Sequence, residues 1–320
     1  MFIGMDHGTT AIRFSTSSGS TFELLRAVAK DMSSREILES IELGLGISFV
    51  DLKLFALTYS MGDGFSMIES ASNIKNRGVR SSKAGTHIGG GTKVFDALKG
   101  SGLPAIMIPG LHNRSATDPR LNIFSHGASP EKVGIAYHAY LKCRGDLIVS
   151  DMGSNTVTVG VSQGKIVGAI DACIFAPGVH HGPLDLEAIQ NIDKGIITAD
   201  EAFSNSGVLK GTSKKSLQEI LEGNDEEADL ALKTASIFSA MEISAMRVLL
   251  KDHGAEDEGI FLAGSLSELP LVKTEIERLL NVKTISVGKW SAAQGCAEIA
   301  RDVYHGEDEI LGMKVKYKSK

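Results

Sequence analysis

Cysteine is scarce and scattered: Cys143, Cys173 and Cys296 are the three in 320 residues, with no Cys-x-x-Cys pair. That spacing argues against a zinc site or an iron–sulfur cluster built within one chain, and buried free thiols are the expectation. Positive charge is not in excess either, since 33 Lys and Arg stand against 39 Asp and Glu for a net charge of -6. A general nucleic-acid binder, normally basic on at least one face, is therefore not expected. An acidic chain that grips a polyanion needs metal and backbone donors instead. Apolar runs long enough to span a membrane, roughly 20 residues, are also missing. The N-terminus enters a strand at once and shows no charged start, apolar core and cleavage site. The expectation is a cytoplasmic protein without a membrane partner. With 42% hydrophobic residues in 320, the chain can bury more than one core, so two domains are expected.

One turn is present in duplicate. Asp6-His7-Gly8-Thr9-Thr10 is read again as Asp151-Met152-Gly153-Ser154-Asn155. Each copy follows a short apolar strand (Met1 to Met5; Leu147 to Val149) and precedes a second one (Ala11 to Phe14; Thr156 to Val161). Glycine lets the backbone approach a ligand with no Cβ in the way, and the next Ser or Thr adds a hydroxyl beside convergent N–H groups. Phosphate oxygens fit such a turn. A carboxylate at the end of the incoming strand, Asp6 or Asp151, would repel bare phosphate, so its presence suggests a Mg²⁺ ion between carboxylate and phosphate, held partly through water. One Asp-Gly turn is an ordinary hairpin feature; two copies in like contexts point to a duplicated phosphate cradle.

Strands are expected at Phe2 to Met5, Ala11 to Ser15, Leu54 to Tyr59, Ala105 to Ile108, Leu147 to Val149, Thr156 to Val161, Lys165 to Ile170 and Ile260 to Ala263. Helices are expected between them. Ser33 and Glu36 form a capping-box signature, and Ser129-Pro130 opens a helix to Cys143. The longest helix runs from about Glu226 to Asp252, with Leu230, Ala231, Phe238, Met241, Ala245 and Leu249 as its core face. Shorter ones fit 200–204, 215–221, 271–280 and 292–304, and Asp185 and Glu187 open another. The alternation argues an α/β fold. The Gly-rich stretch 85–92 precedes a helix-like 93–99 and could bind an anion at that helix N-terminus; it lacks the Gly-Lys-Ser/Thr of a phosphate loop, and a mobile loop or lid is the favoured reading. Lys314 to Lys320 reads as a disordered basic tail.

Gly259-Ile260-Phe261-Leu262-Ala263-Gly264-Ser265 adds an apolar strand running into a Gly-Ser turn. Two Asp-Gly hairpins followed by such a strand resemble the actin, Hsp70 and sugar-kinase superfamily, whose duplicated ribonuclease H-like domains surround a nucleotide cleft. The middle of the chain looks most like the acetate and butyrate kinases. Residues 148–168 follow their second hairpin, Gly178-Val179-His180-His181-Gly182-Pro183-Leu184-Asp185 resembles their Gly-Thr-Arg-Ser-Gly-Asp-x-Asp segment, and Ser206 to Gly211 resembles their Ser-Gly-Leu-Leu-Gly. Phe124-Ser125-His126-Gly127-Ala128-Ser129 is similar to their Phe-His-Gly-Thr-Ser, whose His lies by the transferred phosphoryl group.

Departures accompany the likeness. The nearest match to the family's Arg in the segment 178–185 is His180, the early Arg expected around Thr58 to Gly64 has no clear counterpart, and Pro109 and Gly110 stand where an Asp is expected. A His lacks the fixed charge and planar fork of Arg. Met-Asp-His-Gly-Thr-Thr-Ala-Ile-Arg-Phe at the start, with Ala-Pro-Gly-Val-His-His-Gly-Pro-Leu-Asp in the middle, looks like the archaeal family called methanogenesis marker protein 12, which is described by its occurrence rather than by a reaction.

The resemblance implies ATP and Mg²⁺ as cofactors. Gly8, Thr9 and Thr10 with Gly153, Ser154, Asn155 and Thr156 would border the phosphates, Gly264 and Ser265 the adenosine, and Asp6 and Asp151 the metal. His126, with Arg114 or His180, would supply positive charge near the γ-phosphoryl group. The expected domains are 1–144, with 288–320 packing back onto it, and 145–287; a homodimer is expected through the second. A small carboxylate or a protein is the expected partner beside nucleotide, and the sequence identifies no phosphoryl acceptor. A rival reading is a catalytically weak nucleotide-binding regulator or assembly factor. A third, an energising ATPase like the activators of acyl-CoA dehydratases, is disfavoured by the cysteine spacing.

Overall fold

The computed structural model describes residues 1–81, 88–223, 225–256 and 258–318. Among them, eight strands precede residue 145: β1 Phe2–Asp6, β2 Ala11–Thr16, β3 Thr21–Leu25, β4 Leu54–Leu57, β5 Ile68–Ser70, β6 Ala105–Met107, β7 Leu111–His112 and β8 His126–Ala128. Five follow, β9 Leu147–Met152, β10 Thr156–Ser162, β11 Lys165–Ile170, β12 Gly259–Ala263 and β13 Ile285–Gly288; β14 Glu309–Ile310 and β15 Met313–Lys316 come last. The chain divides into two compact units, Met1–Arg144 with Gln163–Ile166 and Trp290–Lys320, and Gly145–Ser162 with Val167–Lys289.

The first unit is built on an eight-stranded sheet of order β14-β15-β5-β6-β4-β1-β2-β3. β1 pairs antiparallel with β2 and parallel with β4, so the tip of the β1–β2 hairpin lies at the carboxyl end of the parallel strands β1, β4 and β6, where ligands of open α/β sheets bind. One face is covered by Ser34–Leu45, held by the expected capping box and a left-handed Gly46, and by Gly90–Gly100; Ile3, Met5, Phe14, Ile37, Ile41, Phe55 and Phe95 fill the core between. The other face receives Ser291–Tyr304. A Cβ on Gly4 would stand 2.2 Å from the Ala293 carbonyl and the Ala297 nitrogen, and one on Gly295 would stand 1.8 Å from the carbonyl of Gly134 in the helix Pro130–Cys143. Those glycines let β1 and two helices touch backbone to backbone.

The second unit has a five-stranded sheet of order β11-β10-β9-β12-β13. β9 pairs antiparallel with β10 and parallel with β12, with Ala263 opposite Asp151. The helix Glu226–Asp252, capped by the Asp225 side chain on the Ala228 N–H, packs on this sheet, and Ile148, Ile243, Met246, Leu250, Ile260 and Leu262 form its core.

Several expectations are corrected. The buried face of Glu226–Asp252 is Ala228, Ala231, Ala235, Ser236, Ser239, Ala240, Glu242, Ile243, Met246 and Leu250, while Leu230, Met241 and Ala245 are exposed. Alanines and serines make up six of these ten buried residues, so counting large apolar side chains rotates the face the wrong way. Residues 313–316 are not a disordered tail: β15 pairs with β5, with Val315 opposite Ile68, while 319–320 lie outside the described residues. Of the thiols, Cys296 alone is buried; Cys143 and Cys173 are exposed. In the Gly-rich stretch, 85–87 lie outside the described residues, and Gly90 already belongs to a helix. Ser129 does not cap its helix; its hydroxyl donates to Glu131 at 2.6 Å. Among the described residues no helix is long and apolar enough to cross a membrane.

Candidate functional site

Each unit carries its own group of the expected site residues. In the second, the sheet order does most of the assembly. Because β12 lies beside β9, Gly264 follows directly alongside the end of β9. Its φ of +78° is a conformation that glycine adopts without strain. A Cβ there would stand 2.4 Å from the Met152 carbonyl and 2.6 Å from Asp151 Oδ1, and one on Gly153 would stand 3.9 Å from Ser265 Oγ. Asp151, Gly153, Gly264 and Ser265, more than a hundred residues apart in the chain, thus share one spot at the carboxyl ends of two parallel strands.

A second segment is latched onto the same turn. Val179 N–H donates to the Gly153 carbonyl at 2.9 Å, and the N–H groups of His180 and His181 donate to the Ser154 carbonyl at 3.2 and 3.0 Å. Gly178 is required by the contact, since a Cβ there would stand 2.5 Å from Asn155 Cα. The His181 ring meets the Asn155 side-chain carbonyl through Nδ1 and stacks on Phe203 with centroids 4.8 Å apart. Burial and its neighbour His180 push the His181 pKa down, so the ring is neutral near pH 7. Thr156 is fully buried, with its hydroxyl donating to the Pro177 carbonyl at 2.9 Å; it anchors the segment at its root. His180 was legible from the sequence as a candidate, whereas the role of His181 in holding the turn was not.

In the first unit, Asp6 is buried and ion-paired with Arg13 at 3.4 Å, and Arg13 also donates to Glu23 at 2.7 Å across β2 and β3. The two carboxylates raise the Arg13 pKa against the opposing effect of burial. The turn is stitched to β4: His7 N–H donates to Thr58 Oγ1 at 3.2 Å, which itself donates to the Met5 carbonyl at 2.8 Å. Gly8 is partly buried, and Thr9 and Thr10 at the tip are exposed.

His126 and Arg114 gather around a different loop. The His126 Nε2 lies 3.3 Å from the Met61 carbonyl, and the Arg114 guanidinium donates to the Asp63 carbonyl at 2.8 Å. Asp63 in turn accepts the Arg80 N–H at 3.0 Å, and Arg80 reaches Asn113 at 3.2 Å. The loop therefore holds two arginines, one of which, Arg80, no sequence motif marks. His112 behind it accepts the Arg114 N–H and faces the Phe65 carbonyl; burial keeps its pKa low, so it supports the loop as a neutral ring.

Among the described residues no three His, Cys, Asp or Glu side chains group to hold a metal ion. Single carboxylates at strand ends, with hydroxyls and glycines beside them, suit Mg²⁺ that keeps its waters and is carried by phosphate, as opposed to a metal caged by protein.

No family model matches the chain. Solved structures match it along its length: the acetate kinase of Porphyromonas gingivalis (TM-score 0.59, 14% identity, 92% of this chain and 90% of that one) and a propionate kinase from Francisella tularensis (TM-score 0.60, 12% identity, 91% and 89%). A ROK family glucokinase from Streptomyces griseus, solved with glucose and AMPPNP, aligns at a TM-score of 0.51 and 14% identity over 94% and 99%. At such identities the fold is what is shared: this is a two-unit α/β protein with the fold of the acetate kinases. In sequence it is 56% identical over 325 residues to the UPF0285 protein of Methanosarcina mazei and 41% identical over 330 residues to that of Methanocaldococcus jannaschii, with 99% of each chain covered. The chain belongs to the UPF0285 family.

Proposed function

We propose that this UPF0285 protein binds MgATP and is a phosphotransferase-like or ATP-hydrolysing protein of methanogenic archaea. The carrying observation is the convergence of Asp151, Gly153, Gly264 and Ser265, two strand ends kept open by glycine beside one carboxylate. In this reading Gly153, Ser154 and Asn155 with Gly8, Thr9 and Thr10 take the phosphates, and Gly264 and Ser265 border the adenosine. ATP with Mg²⁺, when bound, supplies the phosphoryl group. Asp6 and Asp151 would hold the metal through its waters, with Arg13 ion-paired to Asp6 and orienting it. The peptide units of 178–181 fix the second turn so that its donors need no rearrangement when charge develops. His126 and Arg114, with His180, supply positive charge near the moving group, whose acceptor the reading leaves open. The likeness of the opening segment to methanogenesis marker protein 12 supports a role tied to methanogenesis.

A regulator or assembly factor that binds nucleotide without turning it over is the second reading. It is favoured by two observations: the Arg114 guanidinium already donates to the Asp63 carbonyl, and a histidine stands in the segment where acetate kinases carry their arginine. Acceptor screening for ADP release with Asp151→Asn as the control separates the two. Turnover stimulated by an acyl acceptor and lost in the variant supports the enzyme; binding without turnover supports the regulator. The homodimer belongs to the same proposal. Leu230, Ile237, Met241 and Val248, 61, 40, 47 and 71% exposed, recur along one helix at spacings close to helical, and light scattering of Ile237→Asp reads whether they pair two copies.

A further inference from the structure

The segment that latches the second turn has a root of its own, residues 175–177, clamped from two sides. On the strand side the Thr156 hydroxyl donates to the Pro177 carbonyl at 2.9 Å. On the helix side the Phe175 ring meets Phe238 with centroids 5.6 Å apart. One turn further along the same helix, Oε2 of Glu242 accepts the Ala176 N–H at 3.0 Å. Ala176 and Glu242 are both fully buried, so this backbone donor depends on the carboxyl and not on water.

The surroundings of Glu242 suit an acid better than a carboxylate. Its second oxygen, Oε1, has no hydrogen bond. Thr158 of β10 stands beside it, but the Thr158 hydroxyl already donates to Ser150 of β9 at 3.0 Å. That hydroxyl can accept a proton from an acid and has none to give a carboxylate. Ser239, one turn earlier on the helix, is buried with no hydrogen bond at Oγ. The charged group acting on Glu242 is Asp171, just after β11, which also accepts from the Cys173 thiol at 3.4 Å. A carboxyl in such a place keeps its proton. Burial pushes the Glu242 pKa up to about 8, with Thr158 and Ala176 opposing the rise and Asp171 adding to it.

We propose that Glu242 is a positioning residue for the second Asp-Gly turn: it ties the long helix to residues 175–177 and through them holds the 178–181 segment against Gly153 and Ser154. As a neutral acid it gives Ala176 an acceptor without burying a charge. Once its proton leaves, the charge at Oε1 has no donor inside the fold, and reaching water means parting the helix from the root it holds. The hold is released as pH rises through about 8, and the turn loses its fixed setting with it. The effect on nucleotide rests on the MgATP reading; the hold on residues 176–181 does not.

The test is MgAMPPNP titration calorimetry of the full chain at about pH 7 and about pH 9.5, in the wild type, Glu242→Gln and Glu242→Met. Pulsed hydrogen exchange of the nucleotide-free wild type, corrected for the intrinsic rate, is measured at the same two values. Wild-type affinity is expected to fall by about fivefold at the higher value, whereas Glu242→Gln, with an acceptor for Ala176 and nothing to titrate, changes by less than about twofold. Glu242→Met, which fills the space without an acceptor, is expected to bind about fivefold more weakly than Glu242→Gln at both values. In the exchange arm the amides of Ala176 and Val179 are expected to lose about tenfold in protection, while those of Val157 and Val159 in β10 keep theirs. A merely structural role would lower both sets together. Parallel pH dependence in the wild type and Glu242→Gln, or protection that falls evenly or not at all, overturns the proposal; should a variant fail to fold, the wild-type exchange decides. Absence of nucleotide binding at both values removes the MgATP reading and leaves the exchange result to decide the role of Glu242.

Discussion

The two Asp-Gly hairpins are alike in sequence and differ in what surrounds them. Around Asp6 the neighbours are cations: Arg13 pairs with it at 3.4 Å, and Arg26 is bound to the adjoining His7. Around Asp151 the neighbours are glycines and backbone: Gly264 at its side, Gly153 behind it, and the 178–181 segment hydrogen-bonded to the turn. The same turn is thus finished in one unit by side-chain charge and in the other by close backbone approach. Charge adapts to a ligand, while a backbone cradle is rigid and excludes anything with a Cβ. The first hairpin is accordingly expected to tolerate substitution better than the second.

The sharpest way to break that comparison is Gly264→Val. It combines a positive φ with a 2.4 Å clash against the Met152 carbonyl, strain of roughly 1–3 kcal/mol plus the displaced turn. Calorimetry is expected to show loss of MgAMPPNP binding by about 100-fold or more; unchanged affinity would remove the backbone-cradle account of the second unit.

A second test concerns what stands behind that cradle. Glu242 is fully buried in the long helix, its Oε2 accepts the Ala176 N–H at 3.0 Å, and its Oε1 has no partner. Burial pushes its pKa up to about 8, with Asp171 adding to the shift. The folded state therefore keeps a proton that the unfolded chain loses above about 4.5. Stability falls as pH rises from there to about 8 and levels beyond. The fall is expected to be several kcal/mol in urea titrations, of the order of 1.4 kcal/mol per pH unit at most, and Glu242→Gln, which keeps an acceptor for Ala176 without the charge, should flatten it.

The first hairpin has the opposite dependence. With His7 lowered to about 4 by burial and then by Arg26, the unfolded chain takes up a proton below about 6.5 that the folded ring refuses until about 4. Stability is thus lost as pH falls through that window, by on the order of 2 kcal/mol, and His7→Gln should remove the slope. A wild type and variant with parallel acid limbs would show that His7 is not shielded by the fold.

The smallest expected effect is His181→Ala. It deletes the Asn155 contact and the Phe203 stack but leaves the backbone latch. Nucleotide affinity should drop by about tenfold, roughly 1.4 kcal/mol, with little change in unfolding midpoint.

Much of this was legible in the sequence where local chemistry and tertiary structure agree. The duplicated hairpins appear where their Asp-x-Gly turns indicate, and the helices Pro130–Cys143 and Glu226–Asp252 have the bounds read from the sequence, although Ser129 makes no side-chain cap and the buried face of the second differs. The rest depended on contacts between distant residues. Glu242 in a helical pattern reads as a solvated charge, because nothing local shows that alanines and serines turn that face inward. Arg26 in Leu-Leu-Arg-Ala-Val reads as an ordinary surface arginine, since its contact with His7 exists only once β3 has been folded beside the first turn. Short strands such as β5 and β13 carry too few residues to establish a period. Gly264 could be picked out as a turn glycine, but its approach to Asp151 follows from strand order, which a sequence does not display.

The central claim is that the duplicated hairpins serve a magnesium-bound nucleotide, and titration calorimetry of the wild type and Asp151→Asn with MgAMPPNP tests it most directly. The account predicts wild-type binding in the range of about micromolar to millimolar and at least a tenfold loss in the variant. Absence of binding at millimolar nucleotide, or equal affinity in the two proteins, would contradict it.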